Sequence, residues 1–394
     1  MNIKSLLIGS AAALVATTGA RAADAIVMPE PEPVEYVRVC DMYGAGFFYI
    51  PGTETCLRVS GKVWFDIIAS SANDWYATRV EADLNFDARS ETEWGTLRGF
   101  VQARATWDPQ NQILGSSLTN ILGVLPIPPG IANSTARFGT DGNLTLNQAY
   151  ITLGGLFMGY SESLWAAGVL NPGASNGGSY TWGGLSYGYQ QRHSVSYSFN
   201  GGNGFFGTLA LEDDGNANWM PDVVGKIGVA QGWGAVWAKA AYDEDLTPGG
   251  GAFLGIPLPA PAAFLGARLG GLSGVDGWAA SIGAQINVPN MPGSSLRLIG
   301  FYASNANAYS VGGRWSVLGS YRHQFNPAFA ASVGAQYIAD TNFAAAGNPN
   351  TWLVEGALYW TPVQNFEIRT EITHTKATGV GGVTGGFLRF TRMF

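Results

Sequence analysis

Residues 57–68 read LRVSGKVWFDII. Leu57, Val59, Gly61, Val63, Phe65 and Ile67 hold alternate positions, and Arg58, Ser60, Lys62, Trp64 and Asp66 fill the places between them. Successive residues of a strand point to opposite faces, so the stretch predicts a β-strand with one apolar and one charged face. The next two segments repeat the pattern. In 78–89, Val80, Ala82, Leu84, Phe86 and Ala88 oppose Arg79, Glu81, Asp83, Asn85, Asp87 and Arg89. In 96–107, Leu97, Val101, Ala103, Ala105 and Trp107 oppose Arg98, Gln102, Arg104 and Thr106. A soluble sandwich alternates in the same way, so alternation alone leaves the class open.

Spacing and composition close it. Further strands are expected at 144–154, 157–163, 192–199, 205–212, 222–231, 234–243, 277–288, 294–303, 312–323, 328–339, 351–361, 365–376 and 384–394. The total is about sixteen, an even number, and the connections sort by length. Turns at 91–95, 201–204, 231–234, 289–293, 326–327 and 362–365 are short. Connections at 108–143, 164–191, 213–221, 246–276, 304–311, 340–350 and 377–383 are mostly longer. Short turns on one rim and long loops on the other mark an outer-membrane barrel. Only 12% of residues are charged while 46% are hydrophobic, and the apolar residues are dispersed. A closed barrel reconciles dispersed apolar residues with lipid, because each backbone group pairs with a neighbouring strand. The expected fold is therefore all-β: a transmembrane antiparallel β-barrel of about 16 strands. In its last strand Leu388, Phe390 and Phe394 face lipid, while Phe387, Arg389, Thr391 and Met393 face the lumen.

The N-terminal segment has the marks of a secretory signal. Lys4 precedes an apolar run from Leu6 to Ala16, and Ala20-Arg21-Ala22 forms a small-x-small site, so cleavage is expected between Ala22 and Ala23. Three regions follow: a signal peptide at 1–22, a Pro- and Glu-rich leader with a cysteine loop at 23–56, and the barrel at 57–394. Removing Lys4 and Arg21 leaves 19 basic against 28 acidic residues, a net of −9. That balance opposes nucleic-acid binding, which rests on basic phosphate contacts. In an exported chain the lone pair Cys40 and Cys56 reads as a structural disulfide.

The stretch 40–57, CDMYGAGFFYIPGTETCL, resembles the N-terminal motif of the alphaproteobacterial porins of Rhizobiales type. ADAIV at the start of the mature chain and the FLRF…F ending are similar too. The resemblance implies a homotrimer of sixteen-stranded barrels in the bacterial outer membrane, in contact with lipid and lipopolysaccharide. Such proteins pass small hydrophilic solutes and ions by passive diffusion and use no cofactor. It also implies that the connection at about 164–191, after the fifth strand, folds inward as a constriction. Arg392 departs from the C-terminal pattern, which carries a hydrophobic residue there.

The pore-lining candidates follow from parity. They are Arg58, Lys62, Asp66, Arg79, Glu81, Asp83, Asp87, Arg89, Arg98 and Arg104 on the first three strands. Glu367, Arg369, Glu371 and Arg389 come beside them when the last strands meet the first. Charges lining a pore can set ion selectivity; they can also be salt bridges that a wet lumen simply tolerates. The constriction-loop candidates are Glu162, just before the loop, and Tyr180, Trp182, Tyr187 and Tyr189 within it. The loop between 164 and 191 has no acid, which argues against strong cation selectivity. Its aromatics suit either a sugar slide or packing against the wall. Arg192 and Arg137 are further loop or rim candidates. The apolar stretch 121–131 could latch a neighbouring subunit, and 255–265 raises the same question.

Other motifs fail on context. GNGFFG at 202–207 fits the dinucleotide pattern but precedes a strand, where such a site needs a helix. His193, His323 and His374 are isolated, so no metal site is expected. His193 beside Ser194 and Ser196 is the one hydrolase-like arrangement, and adjacent strand residues point apart. Glu212-Asp213-Asp214 and Asp243-Glu244-Asp245 read as solvated loop ends or divalent-ion sites. A substrate-selective channel and a structural or adhesin barrel remain as alternatives; about sixteen strands favour an open lumen over a plugged one.

Overall fold

In a computed structural model the described residues are 38–71, 75–107, 143–169, 178–182, 185–213, 220–244, 276–341, 343, 349–379 and 381–394. The expected signal peptide, the leader before residue 38, Arg137 and the apolar stretches 121–131 and 255–265 lie outside them.

Among the described residues sixteen barrel strands follow one another: β1 (Cys56–Ser70), β2 (Trp75–Thr92), β3 (Gly95–Trp107), β4 (Asn143–Leu153), β5 (Leu156–Glu162), β6 (Gln191–Gly202), β7 (Phe205–Asp213) and β8 (Asp222–Gln231), then β9 (Gly234–Asp243), β10 (Gly277–Asn287), β11 (Ser295–Ala303), β12 (Trp315–Asn326), β13 (Phe329–Ala339), β14 (Thr351–Val363), β15 (Phe366–Ala377) and β16 (Val383–Met393). Each pairs antiparallel with the next, and β16 returns to β1 from Gly385↔Ser70 to Met393↔Lys62. The ring therefore has no free edge. No helix among the described residues is long and apolar enough to cross a membrane; the strands do that work.

The outward positions are those the alternation assigns. Val59, Val63, Phe65, Ile67, Val80, Leu84, Phe86 and Val101 are exposed. Two aromatic belts bound this apolar band. At the long-loop rim the rings of Trp278 and Tyr302 lie 5.0 Å apart, and Trp315, Tyr337 and Trp352 follow at 5.2 and 4.5 Å. At the short-turn rim Trp94, Trp233, Phe325 and Trp360 are exposed. Aromatic girdles at both interfaces are what a lipid-spanning barrel requires.

The last residue joins the ladder. Phe394 exchanges backbone hydrogen bonds with Gly61 at 2.9 and 3.0 Å. A Cβ at residue 61 would run into the backbone oxygen of Asp83 and lie 2.7 Å from Cζ of the Phe394 ring, so glycine there lets both the neighbouring strand and the ring approach. Arg392 stands at the rim and donates to the turn carbonyls of Gln364 (3.2 Å) and Asn365 (3.4 Å). A charge that caps a turn at the rim departs from the hydrophobic pattern at small cost.

Two elements differ from the alternation. β4 carries a bulge: Gln102 pairs with Gln148, while Ala103 pairs with Leu146. The extra residue flips parity, so that Leu144 and Leu146 are exposed below it and Ile151 above it. β12 starts three residues later than the expected 312–323, because 304–311 folds into the barrel before the strand begins. N-terminal to β1, the disulfide Cys40–Cys56 holds a loop whose two-residue strand Phe48–Tyr49 pairs with Leu57 and Cys56.

Candidate functional site

The lumen has two unlike halves. Along β1, β2, β3 and β16 the inward residues are charged and stacked in rungs. Asp87 accepts from Arg89 (Nε to Oδ1 2.9 Å, Nη2 to Oδ2 2.8 Å) and from Arg98 (2.8 and 3.0 Å), with Arg58 at 3.4 Å. Asp83 accepts from Arg104 (2.7 and 2.9 Å) and pairs with Lys62 at 3.5 Å. Asp66 accepts from Arg79 (3.1 and 2.7 Å) and from Arg389 (2.6 and 2.9 Å). Glu81 lies between the second and third rungs, 3.1 Å from Arg104 and 3.7 Å from Arg79. On β15, Arg369 pairs with Glu367 (2.9 Å) and Glu371 (3.5 Å). Arg58, Lys62 and Asp66 are four residues apart on β1, so the rungs repeat at roughly 13 Å along the strand. The sequence-derived pore-lining set is thus gathered on one wall.

Exposure within the ladder is lopsided. Asp66, Asp83 and Asp87 side chains are at most 1% exposed, while Arg58 and Lys62 reach 37% and 40% and Arg89, Arg98 and Arg104 about a quarter. The carboxylates sit against the wall and the guanidinium groups cover them. On β1, β2, β3 and β16 seven bases serve four acids, so the surface that meets water there is cationic; on β15 Arg369 and Glu367 are evenly exposed. Trp64 backs the ladder, with Lys62, Arg104 and Arg389 at 4.6, 5.4 and 5.2 Å from its ring.

The segment after β5 fills the opposite half. Ser163 and the backbone N–H of Leu164 donate to Glu212 on β7 at 2.8–3.0 Å. Lys239 on β9 donates to the carbonyls of Trp165 (2.6 Å) and Ala167 (3.2 Å), and Lys226 on β8 reaches Ala167 at 3.4 Å. Arg297 on β11 donates to the Gly178 carbonyl. Tyr180 bonds Ser295 at 2.6 Å, and Tyr359 on β14 donates to its carbonyl at 2.6 Å. Thr181 donates to Glu355. The N–H of Trp182 forks onto both oxygens of Glu371 at 2.8 and 3.0 Å. Ser186 and Gln336 exchange two bonds of 2.7 Å. The inward constriction loop implied by the resemblance is present and crosses the barrel. Beneath it the wall is dry: Val224, Trp237, Ala279, Ile299, Leu318 and Leu353 pack with Trp165 and Leu185.

The loop aromatics are tied to the wall. Trp182 packs edge-on to Phe387 at 6.2 Å, with Arg389 over its ring at 4.2 Å and Arg79 at 5.2 Å. Arg297 lies over Tyr180 at 4.6 Å, and Tyr187 meets Tyr189 at 6.2 Å. Burial raises the Tyr189 phenol to about 12, so it stays protonated. Glu162 closes β5, where the loop departs. Arg192 is buried, with Gln190 at 3.2 Å and Asp222 at 3.9 Å.

Several residues escaped the sequence reading. Glu212 and Asp243 do not end in solvent, as the acidic strand-end clusters suggested. Both are buried, because Leu211 and Tyr242 take the outward positions beside them. They hold a second inward loop: Ala308 donates to Asp243 (2.7 Å), and the Tyr309 hydroxyl reaches Glu212 (3.1 Å) and Asp222 (2.9 Å). Burial and these two carboxylates push the Tyr309 phenol far above its ordinary range, so it remains a donor. Lys226 and Lys239 were visible as lone charges at inward positions of VVGKIGV and VWAKAAY. Only the loop that consumes their donors was not. Among the described residues no group of three or more metal-binding side chains converges. His193 is exposed beside Tyr160, and 202–207 is the β6–β7 hairpin, with Asn203 and Gly204 at φ 50° and 80°.

The chain is similar to known porins and to outer-membrane proteins of solved structure. A family model described as "Porin subfamily" matches residues 24–381. Porin Omp2b of Brucella suis biovar 1 is 34% identical and Porin Omp2a of Brucella melitensis biotype 1 is 35% identical, each over the whole of both chains. Among solved structures, the trimer form of OmpT, an outer membrane protein of Vibrio cholerae, aligns with a TM-score of 0.54 at 10% identity. It covers 87% of this chain and all of its own. The anion-selective porin from Comamonas acidovorans aligns at 0.53 and 10% identity, over 86% of this chain and all of its own.

Proposed function

The chain belongs to the porin family and forms an outer-membrane channel, and we propose that it passes small hydrophilic solutes by passive diffusion with a preference for anions. The observation that carries the preference is the inverted exposure of the ladder: the bases face water and their carboxylate partners do not. A water-filled gap bordered by fixed cations on one side and an acid-free loop on the other concentrates anions. Arg58, Lys62, Arg98 and Arg104 line that gap. Asp66, Glu81, Asp83 and Asp87 hold the bases in place, and Trp182 packs on Arg79 and Arg389 where the loop meets the ladder.

The test is a reversal-potential measurement on refolded protein in a planar bilayer under a potassium chloride gradient. A potential of the sign carried by chloride is expected, shrinking as salt screens the ladder. A potential of the potassium sign overturns the preference and leaves the channel intact. Absence of any current from correctly folded protein would instead favour the structural or adhesin barrel.

Three finer points belong to the same reading. The working unit is a homotrimer, as the resemblance implies, and cross-linking in detergent tests it. Outer-membrane lipid and lipopolysaccharide surround the apolar band between the aromatic belts. The mature chain starts at Ala23, supported by Ala20-Arg21-Ala22 and checked by sequencing the exported protein's N-terminus.

A further inference from the structure

The rung nearest the short turns differs from the other two. Three arginines there share one carboxylate. Asp87 already accepts five contacts, two from Arg89, two from Arg98 and one from Arg58. Its two oxygens have no capacity left, and three bases share this one acid within the rung. Arg89 and Arg98 both spend the Nε–Nη2 edge on Asp87. Their Nη1 ends are turned away from it. Arg58 is barely committed: its one ion contact is 3.4 Å long, and its buried Nε has no partner. The nearby Glu91 accepts on Oε1 from the neutral hydroxyls of Tyr43 (2.9 Å) and Thr96 (2.8 Å); it takes up none of the guanidinium edges, and its charge offsets part of the excess.

The planes of all three guanidinium groups are fixed by aromatic rings. Phe47 lies 4.8 Å from Arg58 and 5.0 Å from Arg89, and Tyr43 lies 5.6 Å from Arg89. Phe100 and Tyr150, stacked at 5.0 Å, lie 4.9 and 5.3 Å from Arg98. Phe47 and Tyr43 belong to the loop closed by Cys40–Cys56, and Phe47 is buried. The disulfide loop thus acts as a fixed roof over part of the rung. Ring-stacked guanidinium groups lose little freedom when they bind a second anion.

We propose that Arg58, Arg89 and Arg98, held on Asp87 beneath the disulfide loop, form a binding site for a doubly charged tetrahedral oxyanion at the short-turn mouth. The chemical class is phosphate: inorganic phosphate or the terminal phosphate of a monoester. Its charge is opposite to the excess of the rung, and its oxygens suit guanidinium donors presented from three directions. Chloride offers neither the charge nor several acceptors. The site rests on the channel reading only in that solute must reach the mouth.

Calorimetric titration tests it without needing any current, so failure of the site and failure of the channel reading are distinct results. Inorganic phosphate at pH 8 is titrated into the detergent-solubilised protein, with chloride and acetate at equal ionic strength as controls. Saturable binding is expected for phosphate alone. Arg58→Gln should weaken it roughly tenfold to a hundredfold, the worth of one charge-assisted hydrogen bond. Arg58→Lys, which keeps the charge and loses the fork, should fall between. Both variants leave the bidentate pairs of Arg89 and Arg98 in place, and heat-shifted gel mobility confirms their folding. Repeating the titration with a sugar phosphate separates the sources: tighter binding than inorganic phosphate assigns the site to phosphorylated solutes, and equal binding assigns it to the phosphate group itself. No saturable heat with phosphate, the same heat with acetate, or unchanged affinity in both variants overturns the proposal.

Discussion

Removing the carboxylate of Glu371 should loosen the tip of the constriction loop and make the open channel noisy. The N–H of Trp182 divides itself between Oε1 and Oε2 of Glu371, at 2.8 and 3.0 Å, in a place where the carboxylate is buried. Such a fork amounts to one charge-assisted hydrogen bond, worth about 1.5–3 kcal/mol. The aromatic contacts of Trp182 with Arg389, Arg79 and Phe387 do not depend on Glu371 and stay. The population with a detached tip should therefore rise roughly tenfold to a hundredfold in Glu371→Ala. The assay is single-channel recording at fixed voltage. Mean conductance should increase as the tip leaves the gap, with added current fluctuation from exchange between docked and undocked states. Glu371→Gln keeps one acceptor oxygen and should lie near wild type. Quiet current at unchanged conductance in Glu371→Ala would refute the view that this bond holds the loop; equal disturbance in both variants would shift the role from acceptor to charge.

Other expectations follow from the same geometry. Lys239→Met removes the donor to Trp165 and Ala167 while keeping side-chain length, and should raise open-channel noise from the base of the loop. Tyr309→Phe leaves Glu212 and Asp222 without their shared donor, at a cost of about 1–3 kcal/mol, read as a lower temperature of heat modification on a gel. Gly61→Ala puts a methyl group against the Asp83 backbone oxygen and the Phe394 ring and should cost about 1–3 kcal/mol as overpacking, with slower appearance of the folded band. Cys40→Ser opens a loop of sequence separation 16, worth about 3 kcal/mol in the chain-entropy model; proteolysis within 41–55 should then precede cleavage of the barrel.

How far the sequence could be read depended on what each residue faced. A strand with lipid on one side and water on the other writes its register in its side chains, so β1, β2 and β3 were legible residue by residue. β4 was not, because Asn147 inserts one residue and reverses the alternation, and a bulge leaves no mark in composition. β12 was displaced because 304–311 looks like a plain surface loop until Asp243 and Glu212 are known to lie inside the wall. Strand parity put Arg58, Lys62, Asp83 and Asp87 on one inward face; that Arg58 stands opposite Asp87 and Lys62 opposite Asp83 comes from the register of β1 on β2. The lopsided exposure of the ladder could not be read from parity, since depth beneath a guanidinium group is a property of three neighbouring strands at once. The loop anchors Lys226, Lys239, Arg297 and Glu355 were single polar letters in apolar strands. They gain meaning only when a segment 59 to 174 residues distant arrives to meet them.

The loop that narrows the lumen is also a brace. A wide cylinder with a wall one strand thick resists stretching along its ladders but ovalises easily when squeezed from the side. Lateral pressure from surrounding lipid is such a squeeze, and it never stops. Here a segment leaves the end of β5, spans the interior, and is fastened to β7, β8, β9, β11, β13, β14 and β15. Those fastenings work like spokes, fixing distances between strands that are not all neighbours in the ring, such as β9 and β13. The cross-section of the tube is thereby set from within, and the aperture keeps its size while the membrane around it changes thickness and tension.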